Sequence, residues 1–228
     1  ALDIVQDFSL HRFAAFSWSQ GIIPVWDPYF FGAVIGYLNS GFFYPFNLLT
    51  DFLQILTYQN LNHSYLLMQA NLLFHFFLAS FFMYLLVRRF VNSRIIALTS
   101  AIIFAYSGYM VKGFMHPAYL QGAVWLPLLF LFFYQSILER KNWLKFSILT
   151  GVVFAISLLA GQTQPAIYFL FLLVVLSSYA AYHFWQTKQE KAIKPFLSLL
   201  VVILVTFGLF AIQFFPTYEY KKYSARES

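Results

Sequence analysis

Cysteine is missing from the 228 residues. That excludes a disulfide framework, a thiolate metal site and a cysteine nucleophile. Charge is scarce as well: 10% of the residues are Asp, Glu, Lys or Arg, against about 25% in an ordinary soluble domain. With 61% hydrophobic and 22% aromatic residues and a mean hydropathy of +0.70, a water-soluble globule of this size could not hide its apolar surface. A soluble enzyme, a nucleic-acid-binding module and a disordered linker are thereby excluded. What remains is a polytopic membrane protein, or a piece of one. The chain opens at Ala1 without a methionine or a short apolar leader, and stops at Ser228 just after a charged run. We therefore expect an internal stretch of a longer protein.

A helix needs about 20 apolar residues to cross roughly 30 Å of hydrocarbon. Six stretches qualify or come close: 65–87, 95–111, 119–138, 145–161, 165–186 and 196–215. Strands of a membrane barrel would alternate in polarity. These runs are continuously apolar, and helices satisfy their own backbone in lipid. The expected fold class is therefore all-α, a polytopic transmembrane helix bundle. Residues 1–64 form a loop with interfacial helices, 65–215 the six-helix membrane region, and 216–228 the start of a further segment.

Arg88, Arg89 and Arg94 lie between the first two stretches. Arg140, Lys141 and Lys145 lie between the third and fourth, and Lys188, Lys191 and Lys194 between the fifth and sixth. The positive-inside rule puts these loops in the cytoplasm. Residues 1–64, the 112–118 and 161–164 loops and the tail after 215 then face outside. The +6 net charge is spread over three loops with no shared face, which is no nucleic-acid footprint. Asp3, Asp7, Asp27 and Asp51 all fall in the outer N-terminal segment. No stretch carries a charged residue near its centre, which counts against an ion-coupled transporter.

The N-terminal segment is too aromatic for a floppy loop. Asp3, Asp7 and His11 are spaced by four and share one helical face. Trp18 and Trp26 suit the headgroup level. Gly21, Pro24, Asp27-Pro28 and Gly32 punctuate a turn-rich stretch. Residues 47–58 read as a short interfacial helix that Asn47 or Thr50 would cap.

Asp-Ile-Val-Gln at 3–6, His-Arg-Phe-Ala at 11–14, Gly-Ile-Ile-Pro-Val-Trp-Asp-Pro-Tyr-Phe-Phe-Gly at 21–32 and Phe-Phe-Tyr-Pro-Phe-Asn-Leu-Leu at 42–49 resemble the first outer loop of the bacterial YfhO-type membrane protein family. Tyr-Ser-Gly-Tyr at 106–109, His-Pro at 116–117, Trp-Leu-Pro-Leu at 125–128, Leu-Ala-Gly-Gln-Thr-Gln at 159–164 and Gln-Phe-Phe-Pro-Thr-Tyr-Glu at 213–219 continue the series in order. No single motif is specific; their order and spacing carry the resemblance. It implies a GT-C-like integral-membrane glycosyltransferase of the bacterial inner membrane. Such an enzyme takes a sugar from a polyprenyl-phosphate carrier and gives it to an extracytoplasmic cell-envelope glycan or polymer. The sequence departs from the family in reading Trp-Asp-Pro-Tyr at 26–29 and Leu10 where a proline is usual, and it lacks an Asp-x-Asp pair.

That chemistry needs a carboxylate to accept the incoming hydroxyl's proton. It also needs cations or oriented donors on the departing phosphate, and an apolar groove for the prenyl chain. The resemblance implies Asp3 as the base, with Asp7 a turn away assisting. Asp3, Asp7 and His11 also raise a divalent cation as a cofactor, but i, i+4, i+8 spacing spans roughly 12 Å, too far for one ion to touch all three. Arg12, Lys112, His116 and Arg226 are the expected contacts to phosphate or acceptor, and Gln162 and Gln164 to sugar hydroxyls. Each has a plainer reading: Arg12 as an interfacial anchor, His116-Pro117 as a loop-end turn, the two glutamines as a helix junction, Arg226 as a solvated face. His75 lies mid-stretch, where a neutral imidazole bonded to a neighbouring helix is the expectation. Two rival functions are a transporter or flippase of lipid-linked intermediates and a non-catalytic membrane scaffold.

Overall fold

In the computed structural model, residues 2–22, 24, 41–56, 60–139, 141–187 and 192–221 are described, with 2–7, 220 and 221 described by backbone alone. They form helices and connecting turns, with no strand among the described residues. In chain order the helices are α1 (Leu2–Ser19), α2 (Pro45–Ile55), α3 (Leu61–Phe90), α4 (Arg94–Ala105), α5 (Gly108–Gly113), α6 (Pro117–Ala123), α7 (Leu126–Leu138), α8 (Trp143–Leu159), α9 (Thr163–Gln186) and α10 (Lys194–Lys221).

Four segments are long and apolar enough to cross a membrane: Leu61–Phe90, Pro117–Leu138, Thr163–Gln186 and Lys194–Glu219. This is a membrane protein by that measure. The other two apolar stretches are shorter helices, α4 with 12 residues and α8 with 17. At 1.5 Å per residue these reach only about 18 and 25 Å. The expected 95–111 span breaks at Tyr106, whose backbone leaves the helix, and Ser107 is extended (φ −61, ψ 154). The 119–138 stretch bends at Val124–Trp125, and Pro127, which lacks an N–H to continue a ladder, opens α7. The last helix begins at Lys194 and runs through Pro216 to Lys221, beyond the expected end at 215.

The Pro117–Leu138 segment is the centre of the bundle. Two thirds of its apolar window (67%) is buried, against 28% for the other three long segments. Leu120, Val124, Leu129 and Phe133 are fully enclosed and join Leu72, Ala79, Phe154 and Leu173 in the main core. The peripheral helices turn Phe77, Leu98, Ile103, Phe171, Leu204 and Phe215 outward. An apolar outer face of this kind suits lipid rather than water.

The ends of the helices sort into two sets. The Phe90 ring lies 4.9 Å from Tyr134, and Lys194 Nζ donates to the Ile137 carbonyl at 2.8 Å. The ends of α3 and α7 and the start of α10 therefore meet, and this end carries Arg88, Arg89, Lys141 and Lys194. At the far end, a Cβ on Gly41 (φ +77) would sit 2.8 Å from the Ala160 carbonyl oxygen. Only glycine lets the chain entering α2 lie so close to the α8–α9 junction.

Candidate functional site

The far end contains two polar regions. The first is closed. On α2, Asn47, Thr50, Asp51 and Gln54 recur at i, i+3, i+4, i+7 and are all buried, while Leu49, Phe52, Leu53 and Leu56 on the opposite side are exposed. The helix thus turns its polar face into the protein and its apolar face out. It begins at Pro45 behind Tyr44, so Asn47 and Thr50 lie inside it and do not cap it. They bond across the fold instead. Gln121 Nε2 donates to Asn47 Oδ1 at 2.7 Å, and Asn47 Nδ2 donates to the Gly41 carbonyl at 3.1 Å. Asn71 Nδ2 donates to Thr50 Oγ1 at 2.9 Å.

His75 belongs to the same region. Its Nδ1 lies 2.7 Å from the Asn71 carbonyl, which can only accept, so Nδ1 carries the proton. Nε2 then accepts from the Tyr44 hydroxyl at 2.7 Å, and that oxygen accepts from Trp125 Nε1 at 3.1 Å. Burial pushes the Tyr44 phenol far above its ordinary range, so Tyr44 stays a donor. The expected partner on a neighbouring helix is thus the residue that heads α2. Nearby, His11 Nδ1 of α1 donates to Asp51 Oδ1 at 2.6 Å, with Asp51 fully buried.

The second polar region is open. The α5–α6 hairpin folds tightly because Gly113 lets α5 approach Leu120, whose Cβ would stand 3.0 Å from an added Cβ. The hairpin and the α8–α9 junction enclose a cavity of about 480 Å³ lined by Tyr109, Lys112, Gly113, His116, Tyr119, Gln162 and Gln164. Four sequence candidates, Lys112, His116, Gln162 and Gln164, are therefore brought together. His116 precedes α6 without a side-chain bond to its N-terminus, and Pro117 opens that helix. Gln162 likewise heads α9 without capping it through its side chain. Gln164 Nε2 donates to the Tyr168 hydroxyl at 3.0 Å. The His116 and Tyr119 rings meet edge to face, with centroids 5.9 Å apart.

Tyr109 also lines a second, apolar cavity of about 340 Å³ with Phe104, Met110, Leu126, Tyr168 and Phe169. Burial, and then the charges Tyr119 and Tyr168 would carry, raise the Tyr109 phenol above its ordinary value. It is held as a hydroxyl donor. On the other side of the hairpin, Val111, Phe114 and Met115 face a third cavity with Leu73, Phe76 and Phe77. A cation, an imidazole, phenols and amides thus stand beside grooves made of hydrocarbon and aromatic rings. Such a site can hold an anionic, hydroxyl-rich headgroup with its tail in the bilayer.

The remaining candidates lie elsewhere. Arg12 sits on α1 with its Cζ 6.0 Å from the Phe8 ring centroid and does not line the cavity. Asp3 and Asp7 are on the α1 backbone, with side chains outside the described set, and Arg226 lies outside the described residues. Trp26, Asp27, Pro28 and Gly32 fall outside them too. Among the described residues no three His, Asp or Glu side chains gather to hold a metal, and His11 gives its Nδ1 to Asp51. Tyr109 and Tyr119 were not singled out from the sequence; their place in the Tyr-Ser-Gly-Tyr motif and next to His-Pro was the available signal. No family model, curated protein or solved structure matches the chain.

Proposed function

We propose that this protein is a GT-C-like membrane glycosyltransferase. It moves a sugar from a polyprenyl-phosphate donor to an extracytoplasmic acceptor of the cell envelope. The observation that carries this reading is the meeting of Lys112, His116, Gln162 and Gln164 in one cavity that shares Tyr109 with an apolar groove. Lys112 and the Tyr109 hydroxyl hold the phosphate, the two glutamines hold sugar hydroxyls, and the groove along Phe104, Leu126 and Phe169 takes the first prenyl units. The described basic residues Arg88, Arg89, Lys141 and Lys194 lie at the opposite end, and the positive-inside rule then supports an outward-facing cavity, on our reading at the outer face of a bacterial inner membrane. Asp3 and Asp7 on α1 remain the carboxylates that the family resemblance offers for proton transfer.

The transporter reading needs a polar group open to a pathway at mid-membrane. His75 is the one histidine within a long span's interior, and both of its ring nitrogens are bonded inside the protein. That favours the enzyme reading. The test is transfer from radiolabelled polyprenyl-phosphate glucose, galactose and N-acetylglucosamine by membranes carrying the full protein. Label should enter envelope polymer with wild type and fall sharply with Lys112→Met at equal protein level. Label that never exceeds that of membranes lacking the protein contradicts the reading.

A further inference from the structure

We propose that the groove between α7 and α9 at the basic end of the bundle binds an anionic glycerophospholipid, with one acyl chain in the groove and the phosphodiester at its rim. This goes beyond the glycosyltransferase reading and does not depend on it. The groove has a volume of about 280 Å³. Phe130, Tyr134 and Leu138 line it from α7, and Leu176, Ala180 and His183 from α9. Each set is a single stripe at helical spacing. The groove therefore runs lengthwise along the two helices, the direction an acyl chain takes in a bilayer. Its wall is mostly hydrocarbon and aromatic ring. It becomes polar toward the basic end, where His183 and the last residue of α3, Phe90, also line it.

Three helices, α3, α7 and α9, finish at this end, and their negative ends would repel an anion. Cations offset them. Arg88 donates to the carbonyls of Val91 and Asn92 just past α3. Lys194 Nζ donates to the Ile137 carbonyl at 2.8 Å and the Glu139 carbonyl at 2.5 Å, where α7 stops. Arg89, beside Phe90 in the chain, is exposed, and so are Arg94, Lys141 and Lys145. Glu139 is the one carboxylate among the described residues of these helix ends and connections. By sequence, the adjoining connections add Arg140, Lys188 and Lys191 against Glu190. The charge balance at the rim is therefore positive. The exposed His183 ring offers an N–H donor in either protonation state.

Depth agrees with charge. Tyr179, Tyr182 and Trp185 are exposed along the final turns of α9. Such residues sit at headgroup level, which puts His183, between them in the chain, where a lipid phosphate lies. The positive-inside rule assigns this end to the cytoplasmic leaflet, whose anionic phospholipids are drawn to basic residues. A lipid entering here finds hydrocarbon for its tail, and N–H donors and positive charge for its phosphate.

The test uses the full chain in phosphatidylcholine nanodiscs. They carry equal mole fractions of either diazirine-acyl phosphatidylglycerol or diazirine-acyl phosphatidylcholine, and crosslinked peptides are mapped by mass spectrometry. Label from phosphatidylglycerol should concentrate in residues 130–138 and 176–184. There it should exceed the phosphatidylcholine label about fivefold, the effect of roughly one cation at a membrane surface. Combining Arg89→Gln with His183→Leu should shrink that excess below about twofold and leave the phosphatidylcholine label unchanged. Ala180→Phe, which fills the groove, should remove label from both lipids. Equal label from the two lipids in wild type overturns the proposal, whatever the variants do. An excess spread evenly over all lipid-facing helices overturns it too. So does a full excess in the double variant, which moves the headgroup elsewhere. Displacement of the label by polyprenyl phosphate at equal mole fraction overturns it as well, because the groove is then a site for a single-chain carrier.

Discussion

His75 and His116 stand in the same half of the molecule and are used in opposite ways. Around His75 every hydrogen-bonding group of the relay from Trp125 through Tyr44 to the Asn71 carbonyl has its partner in the protein. Around His116 the polar groups line a cavity of about 480 Å³. The residue types are the same in both regions: histidine, tyrosine and side-chain amides. What separates the two regions is how far their side chains are tied to other helices. In the closed region the Asn47–Gln121, Thr50–Asn71, Tyr44–His75 and His11–Asp51 bonds tie α1, α2, α3 and α6 together. That tie holds the platform on which the α5–α6 hairpin presents Lys112 and His116.

If this division is right, changes in the closed region should cost stability, and changes in the cavity should cost activity alone. The largest effect is expected from Asp51→Ala, which removes the fully buried carboxylate paired with His11. Unfolding of the detergent-solubilised protein should become easier by about 3 kcal/mol. Gly41→Ala should follow, at about 2 kcal/mol or more, because alanine is strained at φ +77 and its Cβ meets the Ala160 carbonyl. Tyr44→Phe leaves the Trp125 N–H and His75 Nε2 without their partner and should cost about 1–2 kcal/mol. Gln54→Leu should act the other way. Gln54 is fully buried and neither amide atom has a partner among the described residues, so leucine should stabilise by about 1 kcal/mol. Lys112→Met is the smallest in stability, within about 0.5 kcal/mol, yet it should raise donor KM about tenfold. A Lys112→Met variant that unfolds like Asp51→Ala would erase the distinction between the two regions.

Much of the helical framework was legible from the sequence because hydrocarbon demands long apolar runs, and those runs have few rival readings. The breaks inside them were not. Tyr106-Ser107 is more polar than the Ile-Ile-Phe-Ala before it, and Val124-Trp125 differs little from its neighbours, but a dip of one or two residues within a long apolar run does not by itself mark where a helix ends. Pro127 was the local sign that α7 starts afresh. The polar face of α2 was readable as Asn47, Thr50, Asp51 and Gln54 at helical spacing. Its inward direction was not, because amphipathicity does not say which side is solvent when the surroundings are lipid. In the cavity, Lys112, His116, Gln162 and Gln164 were legible as polar residues at loop positions between apolar stretches. Their convergence depends on the tight α5–α6 hairpin and the bend at Gly161, which are properties of the fold. Tyr109 and Tyr119 were two among sixteen tyrosines; their place beside the Tyr-Ser-Gly-Tyr and His-Pro motifs was a weak sign, and their neighbours in space are what mark them out.

The most direct measurement is photocrosslinking with a diazirine-bearing polyprenyl phosphate, mapped by peptide mass spectrometry on the membrane-embedded protein. Crosslinks should concentrate in residues 104–126 and 162–172, the hairpin and the start of α9, and should be competed away by unlabelled polyprenyl phosphate but not by a neutral polyprenol. Crosslinks confined to the groove of Phe90, Tyr134 and His183 at the basic end, or spread evenly over the lipid-facing helices without competition, would contradict it.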